Sequence, residues 1–328
     1  MTRRRLLFVC YPDTNHTIGG VKQIYRQVEL LHQQGWDAHV LQERPGFRPD
    51  WFSSQAPVLD LASYLASGPS AERDLIVLPE TWLTNVPGYL PGIPKVIFNQ
   101  NAFYTFGLEG RCEADTLQLY HHADIRGVVT VSQDSRALLV HGCGIATERC
   151  HVVINGIDPA LFYAPELKLR RIVFMGRKHA DHLRKVALMA RRRPSLARYS
   201  FRELPRLTHQ EVAQELREAL LFLSCGHPEG FGLPLAEAIA CGCLVVGYHG
   251  LGGRDFALPH MHCVEFGDLL GFVDGIEAEL RRFEQAPAAV AHERCQASRS
   301  LQERYSPEAE RSVAEQVWGS LALQMEQG

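Results

Sequence analysis

The stretch Leu221-Phe222-Leu223-Ser224-Cys225-Gly226-His227-Pro228-Glu229-Gly230-Phe231-Gly232-Leu233-Pro234-Leu235-Ala236-Glu237-Ala238-Ile239-Ala240-Cys241-Gly242 decides how this chain is read. Its opening apolar run has the composition of a parallel strand buried on both faces. A loop follows, in which Gly230 and Gly232 flank Phe231. Pro234 sits where helices start, because its missing N–H would be unpaired there anyway. Good helix formers run on to Cys241, and Gly242 can close the helix in the left-handed region. Strand, glycine loop and helix N-terminus therefore meet within this one stretch.

Such a junction has a chemical use. Free N–H groups and the positive end of the helix dipole point beyond the strand's carboxyl end. Open α/β sheets bind ligands there. The two glycines let a phosphate approach the backbone. Glu229 precedes the loop, and Glu237 is expected in the first helical turn. Carboxylates accept hydrogen bonds from hydroxyls. Phosphate plus polyol is the description of a nucleotide sugar. A plainer reading stays open, in which Glu237 serves only the helix dipole and the glycines only make a turn.

Glu229, seven residues and Glu237, set around Gly-Phe-Gly-Leu-Pro, resemble the E-x7-E signature of glycosyltransferase family 4 and its relatives. Asn155-Gly156-Ile157-Asp158-Pro159-Ala160-Leu161-Phe162 closely resembles that family's inter-domain passage, N-G-[VI]-D-x-x-x-F. The resemblance is specific at 155–162 and 220–253 and topological elsewhere. It implies an α/β protein of the GT-B fold, with two Rossmann-like parallel-sheet domains facing a central cleft. Residues 1–163 would be the acceptor domain and 164–306 the nucleotide-sugar donor domain. Residues 307–328 would form a helix crossing back to the first.

The resemblance also implies a site. Glu237 would hold the ribose hydroxyls, and Glu229 would contact the sugar near the reacting carbon. Amides of Gly230, Phe231, Gly232 and Leu233 would hold the diphosphate, together with Arg177. The family's lysine has two candidates here, Lys178 and Lys185. Backbone near Leu204 would touch the nucleobase. The Gly19-Gly20 pair resembles the family's loop at the cleft, with a plain turn as the alternative. The family carries a histidine after a later strand of the first half. Asn99, Gln100 and Asn101 stand in that region and are read as acceptor or sugar hydrogen-bonding groups, against loop capping. Amides offer no general base.

The 328 residues suffice for two domains of ~150 residues each. A hydrophobic fraction of 46% and a charged fraction of 22% are ordinary for a globular protein. The net charge of −3 gives no electrostatic reason to expect nucleic acid. No apolar run approaches the ~20 residues of a membrane span, so only peripheral membrane contact is left open. Charges then apolar residues from Arg3 to Cys10 fail as a signal peptide, because Tyr11-Pro12-Asp13 interrupts, and read better as a first strand. Nine cysteines without a C-x-x-C pair suit a reduced, cytoplasmic chain.

Strand and helix patterns alternate along both halves, which argues for parallel sheets. Arg5–Cys10 reads as a strand and Tyr11–Gly20 as a loop. Val21, Ile24, Val28 and Leu31 recur at helical spacing up to a stop at Gly35. The G-x-G-x-x-G and P-loop fingerprints are absent. Ser132 and Thr208 read as helix N-caps, the latter in a capping box with Glu211. His249–Asp255 is a second glycine-rich loop, and helices 269–283, 288–303 and 307–325 finish the chain.

No D-x-D or H-E-x-x-H occurs, and the close histidine pairs lack a third ligand, so no metal or other cofactor is expected. The expected activity is retaining transfer from a nucleotide sugar to a glycan, lipid-linked or protein acceptor, with bacterial surface polysaccharide or glycoconjugate as the product class by analogy. Two alternatives stay open. One is another GT-B enzyme, a nucleotide-sugar epimerase or a phosphorylase. The other is a catalytically silent nucleotide-sugar binding protein.

Overall fold

The structure is a computed structural model that describes residues 4–10, 18–107 and 116–324. Residues 11–17 of the expected loop and Met325 of the expected last helix lie outside the described residues. The chain forms two compact units, Met1–Asn155 with Glu308–Gly328, and Gly156–Pro307.

The first unit alternates strand and helix: β1 (Arg5–Val9), α1 (Gly19–Gln33), β2 (Ala38–Gln42), β3 (Val58–Asp60), α2 (Leu61–Ala66), β4 (Asp74–Pro79), β5 (Lys95–Asn99), α3 (Thr116–Leu119), β6 (Ile125–Thr130), α4 (Gln133–Ala137) and β7 (Cys150–Val152). The strands form one parallel sheet in the order β3-β2-β1-β4-β5-β6-β7. β4 and β5 are buried along their whole length, which is why they read as unbroken apolar runs. In α1, Val21, Ile24, Val28 and Leu31 are all buried, so the helical period chose the correct face. Ser132 caps α4 by accepting from Ser135 N–H at 3.1 Å.

The second unit contains β8 (Leu169–Met175), α5 (Ala180–Ala190), β9 (Ser200–Leu204), α6 (His209–Glu218), β10 (Ala219–Ser224), α7 (Leu233–Ala240), β11 (Leu244–Gly247), β12 (His262–Cys263), α8 (Leu269–Gln285) and α9 (Pro287–Arg304). Its parallel sheet runs β12-β11-β10-β8-β9. β10 is thus a central strand, paired on both edges, as its composition requires. Leu183 and Val186 of α5, with Phe272 and Ile276 of α8, pack on Phe174, Leu223 and Val246. The capping box of Thr208 and Glu211 is present at the start of α6.

Residues 156–163 were expected to close the first half, but they fold with the second unit. The backbone N–H of Ile157 donates to Tyr305 O at 2.7 Å, Gln302 donates to Phe162 O at 2.6 Å, and Phe162 is buried. The last helix, α10 (Pro307–Gln324), packs in the first unit. Its Trp318 is fully buried, meets Phe8 at 4.9 Å and Phe98 at 6.0 Å between ring centroids, and donates from Nε1 to Gln27 at 3.0 Å. Glu310, also fully buried, accepts from Arg26 at 3.0 Å.

Candidate active site

Because the strands of the second sheet are parallel, their carboxyl ends deliver loops to one edge. β10 leads into loop 225–232. There the Cys225 thiol donates to the Lys178 carbonyl at 2.8 Å, tying this loop to the turn that follows β8. Burial pushes that thiol up to about 12, so it stays a protonated donor. Lys178 Nζ in turn lies 3.2 Å from Glu229 Oε1 and donates to the Pro228 carbonyl. The two side chains are 17% and 20% exposed, so the ion pair is accessible but sheltered.

The second glycine-rich loop braces the first through backbone. Glu229 N–H donates to Gly250 O at 2.7 Å, and Gly252 N–H donates to Glu229 O at 3.1 Å. A Cβ on Gly252 would lie 2.0 Å from Gly230 O, so only glycine permits this approach. Gly232, at φ 93°, then turns the chain into α7. The amides of Phe231, Gly232 and Leu233 have no hydrogen-bond partner among the described residues. Gly230 differs, because it already takes part in another interaction. Phe231 contributes only backbone here, since its ring is buried at 5.0 Å from Phe256 and 5.3 Å from Tyr305.

Glu237 is the fifth residue of α7, beyond the first turn where it was expected. Its plain alternative as a dipole partner loses its geometry, because the dipole acts within the first turn. Glu237 is 8% exposed, and its Oε1 lies 3.1 Å from Nε2 of His209. His209 opens α6 and sets its ring edge-on to Phe162 at 4.9 Å. It was not among the expected site residues. The capping box just before it marked a helix start, and nothing in local periodicity marked this contact.

The remaining candidates divide. Arg177 is exposed and without a side-chain partner among the described residues. Lys178 stands against Glu229, whereas Lys185 is 59% exposed and pairs with Asp181, one helical turn away on α5, at 3.0 Å. Leu204 ends β9 with its side chain in the core, at 5% exposure.

In the first unit, Gly19 and Gly20 are the first residues of α1, so the helix begins earlier than expected. Gln100 donates from Nε2 to Gly20 O at 3.0 Å. Asn99 is fully buried and donates to Thr105 at 3.1 Å and Tyr120 at 2.8 Å. Asn101, 5% exposed, accepts from Phe103 N–H at 3.2 Å and caps the short turn 102–106. The expected acceptor-facing role of Asn99 and Asn101 is therefore corrected: β5 is buried on both faces, so Asn99 lies in the core bonded to Thr105 and Tyr120, and Asn101 serves the loop. Glu80, at the end of β4, was missed. It is 6% exposed and accepts from Gln100 N–H at 3.1 Å. Burial raises its carboxyl to about 7, against the lowering effect of backbone donors at Gln100, Glu80 and Asn101.

Among the described residues, no group of three His, Cys, Asp or Glu side chains is placed to hold a metal ion, and no helix is long and apolar enough to cross a membrane. Eight cysteines are free thiols among them.

Two parallel-sheet units of this build define the GT-B fold of glycosyltransferases. HepE of Anabaena, crystallised with UDP-glucose, superposes with a TM-score of 0.72 at 15% identity, over 96% of this chain and 99% of that one. Sucrose-phosphate synthase from Thermosynechococcus elongatus superposes at 0.68 with 16% identity, over 99% and 98%. In sequence, an alpha-1,6-glucosyltransferase of Actinobacillus pleuropneumoniae serotype 7 is 26% identical over 198 residues, which is 55% of this chain and 54% of that protein. The chain thus spans about half the length of this curated relative. No family model matches the chain.

Proposed function

We propose that this chain is a retaining glycosyltransferase that moves a sugar from a nucleotide-sugar donor to a glycan or glycoconjugate acceptor, without a metal ion or other cofactor. The observation that carries the reading is the Glu229–Lys178 pair, set beside the unpartnered amides of Phe231, Gly232 and Leu233. An ammonium, a guanidinium and a row of amides suit a diphosphate, and carboxylates suit hydroxyls. Lys178, Arg177 and the amides would stabilise the charge that grows on the leaving diphosphate. Glu237 would accept from the ribose hydroxyls and Glu229 from a hydroxyl of the transferred sugar.

Glu229 lies beside the diphosphate amides, a position that suits the sugar's hydroxyls better than the back of its anomeric carbon. We therefore favour a same-face reaction, in which the departing phosphate takes the acceptor's proton and no glycosyl-enzyme forms. Uridine nucleotides are the first donors to test, because HepE was crystallised with UDP-glucose. Bacterial surface polysaccharide or glycoconjugate synthesis in the cytoplasm is the setting that this chemistry and the cysteine usage suit.

The test is a thermal-shift screen of UDP, GDP, dTDP and ADP sugars, followed by proton NMR of the product. A ligand at 100 times its Kd adds ~2.7 kcal/mol to folding stability, so a true donor raises Tm measurably. The expected product keeps the donor's anomeric configuration; an inverted product overturns the retaining assignment.

A further inference from the structure

The loops after β8, β10, β11 and β12 bring together side chains that the reading above does not use. His179, His182, His227, Tyr248 and Phe266 form one aromatic group at the carboxyl edge of the second sheet. Phe266 lies at its middle. Its ring stacks on His227 at 4.5 Å and 28°, meets His179 edge-on at 5.0 Å, and lies 5.2 Å from Tyr248. A lone exposed apolar side chain is common and carries no message. Phe266 differs, because four aromatic neighbours support it while 52% of its surface remains exposed.

The hydrogen bonds fix what the surrounding rings can offer. Tyr248 OH accepts from Gly267 N–H at 3.1 Å and lies 3.0 Å from His182 Nδ1. His182 Nε2 has no partner among the described residues. His179 Nε2 donates to the His227 carbonyl at 2.7 Å. Neither ring nitrogen of His227 has a partner among the described residues. Burial, and then the nearby His179, His249 and Lys178, hold His227 below the usual histidine range, so at neutral pH it offers one donor and one acceptor.

An exposed aromatic face rimmed by imidazole and hydroxyl groups complements a pyranose ring, which presents C–H groups on its face and hydroxyls at its edge. An anion fits this ledge less well, because the acidic Asp181 and Asp268 lie near Tyr248. We propose that the ledge of His227 and Phe266, flanked by His179 and His182, is a pyranose-binding subsite. Glu229 follows His227 by two residues, so the subsite adjoins the end of the site assigned above to the sugar. The proposal rests on the glycosyltransferase reading only for the source of the ring, which is either the donor's transferred sugar or a sugar of the acceptor.

Saturation-transfer NMR tests the ledge without any nucleotide. The probes are methyl pyranosides of gluco, galacto and manno configuration. Saturating the protein's aromatic protons should reach the ring C–H protons of at least one probe. Phe266→Ala should weaken that signal about threefold or more, since it removes the aromatic face on which the ring would lie. Phe266→Tyr keeps the face and should restore the signal. Leu188→Ala, which truncates another exposed apolar side chain (63%), should leave it unchanged. No signal from any probe, or a signal indifferent to Phe266→Ala, overturns the subsite. A calorimetric arm compares UDP-glucose with UDP. Loss in Phe266→Ala of the affinity that the glucose adds assigns the ring to the donor; an unchanged gain with a raised acceptor KM assigns it to the acceptor. If wild-type protein binds glycosides but neither nucleotide, the donor reading fails and the ledge stands.

Discussion

Glu237 and His209 show how one contact refines a residue's role. The carboxylate is nearly buried, and the imidazole 3.1 Å away holds one of its oxygens. Glu237→Ala should therefore weaken nucleotide binding by ~1.5–3 kcal/mol per lost hydrogen bond to charge, with a smaller effect on Tm. His209→Gln keeps a donor at this position and should retain most affinity, while His209→Ala should lose about tenfold, near 1.4 kcal/mol. Titration of UDP into the three variants checks this, and equal affinities throughout would remove both residues from the nucleotide site. Glu229→Gln should lower turnover by ~10²–10³-fold while UDP binding survives, because the lost contact is to the sugar. Intact mass spectrometry of donor-loaded enzyme should show no glycosyl adduct; an adduct on Glu229 would sink the same-face mechanism. Glu80 makes a different prediction. Its carboxyl rises from an ordinary 4.5 to about 7 on folding. The folded state therefore holds this proton more tightly. Its contribution to stability is complete below pH 4.5 and is lost as pH rises through 7, on the order of 3 kcal/mol. Melting curves from pH 4.5 to 8 should show a shallower loss in Glu80→Gln than in the parent.

At the scale of elements, α7 is anchored at the end opposite its free amides. Lys168 donates to Cys241 O at 2.7 Å and Leu216 O at 2.9 Å, Arg294 to Gly242 O at 2.6 Å, and Ser298 to Ala240 O. A half-buried lysine and a buried arginine thus satisfy and complement the carboxyl end of the helix dipole. Burial lowers the pKa of Lys168, which is consistent with its place among carbonyls and thiols. Lys168→Met leaves two carbonyls without this donor and should cost ~1.5–3 kcal/mol of stability, read from the denaturation midpoint of the second unit. The two glycine-rich loops form a second such element. Gly252→Ala forces a Cβ to within 2.0 Å of Gly230 O, so Glu229 must move. This variant should lose turnover well before it loses its fold, and an active Gly252→Ala would show that the brace is dispensable.

For the molecule as a whole, the proposed chemistry stabilises the leaving diphosphate with amides and cations, so transfer should be equal with and without EDTA. Activity that vanishes with chelator and returns with Mg²⁺ or Mn²⁺ would count against this site. Stability is tied to the last helix in the same way. Trp318 fills the core of the first unit against Phe8 and Phe98, and Trp318→Ala should cost ~3–5 kcal/mol. A chain ending before α10 should expose Phe8 and aggregate.

The sequence by itself determined the elements and their order. Central parallel strands are apolar on both faces, and helix starts carry their caps locally, so β10, the turn at Gly232, the box at Thr208 and the core face of α1 were all legible within a few residues. It also offered Glu229 and Glu237 as candidates through a motif with fixed spacing, and Arg177 through the family resemblance alone. Tertiary structure alone decided the contacts between segments distant in the chain. Lys178 rather than Lys185 meets Glu229, because the turn after β8 keeps the first at the sheet edge and α5 carries the second away. Asn99 and Asn101 sit after a strand end as expected, yet only the folded register shows one turned inward and the other capping. His209 reaches Glu237 across 28 residues, and Phe266 after β12 reaches His227 after β10. Periodicity reports which face of an element is buried, but not which loop from elsewhere in the sheet will stand beside it.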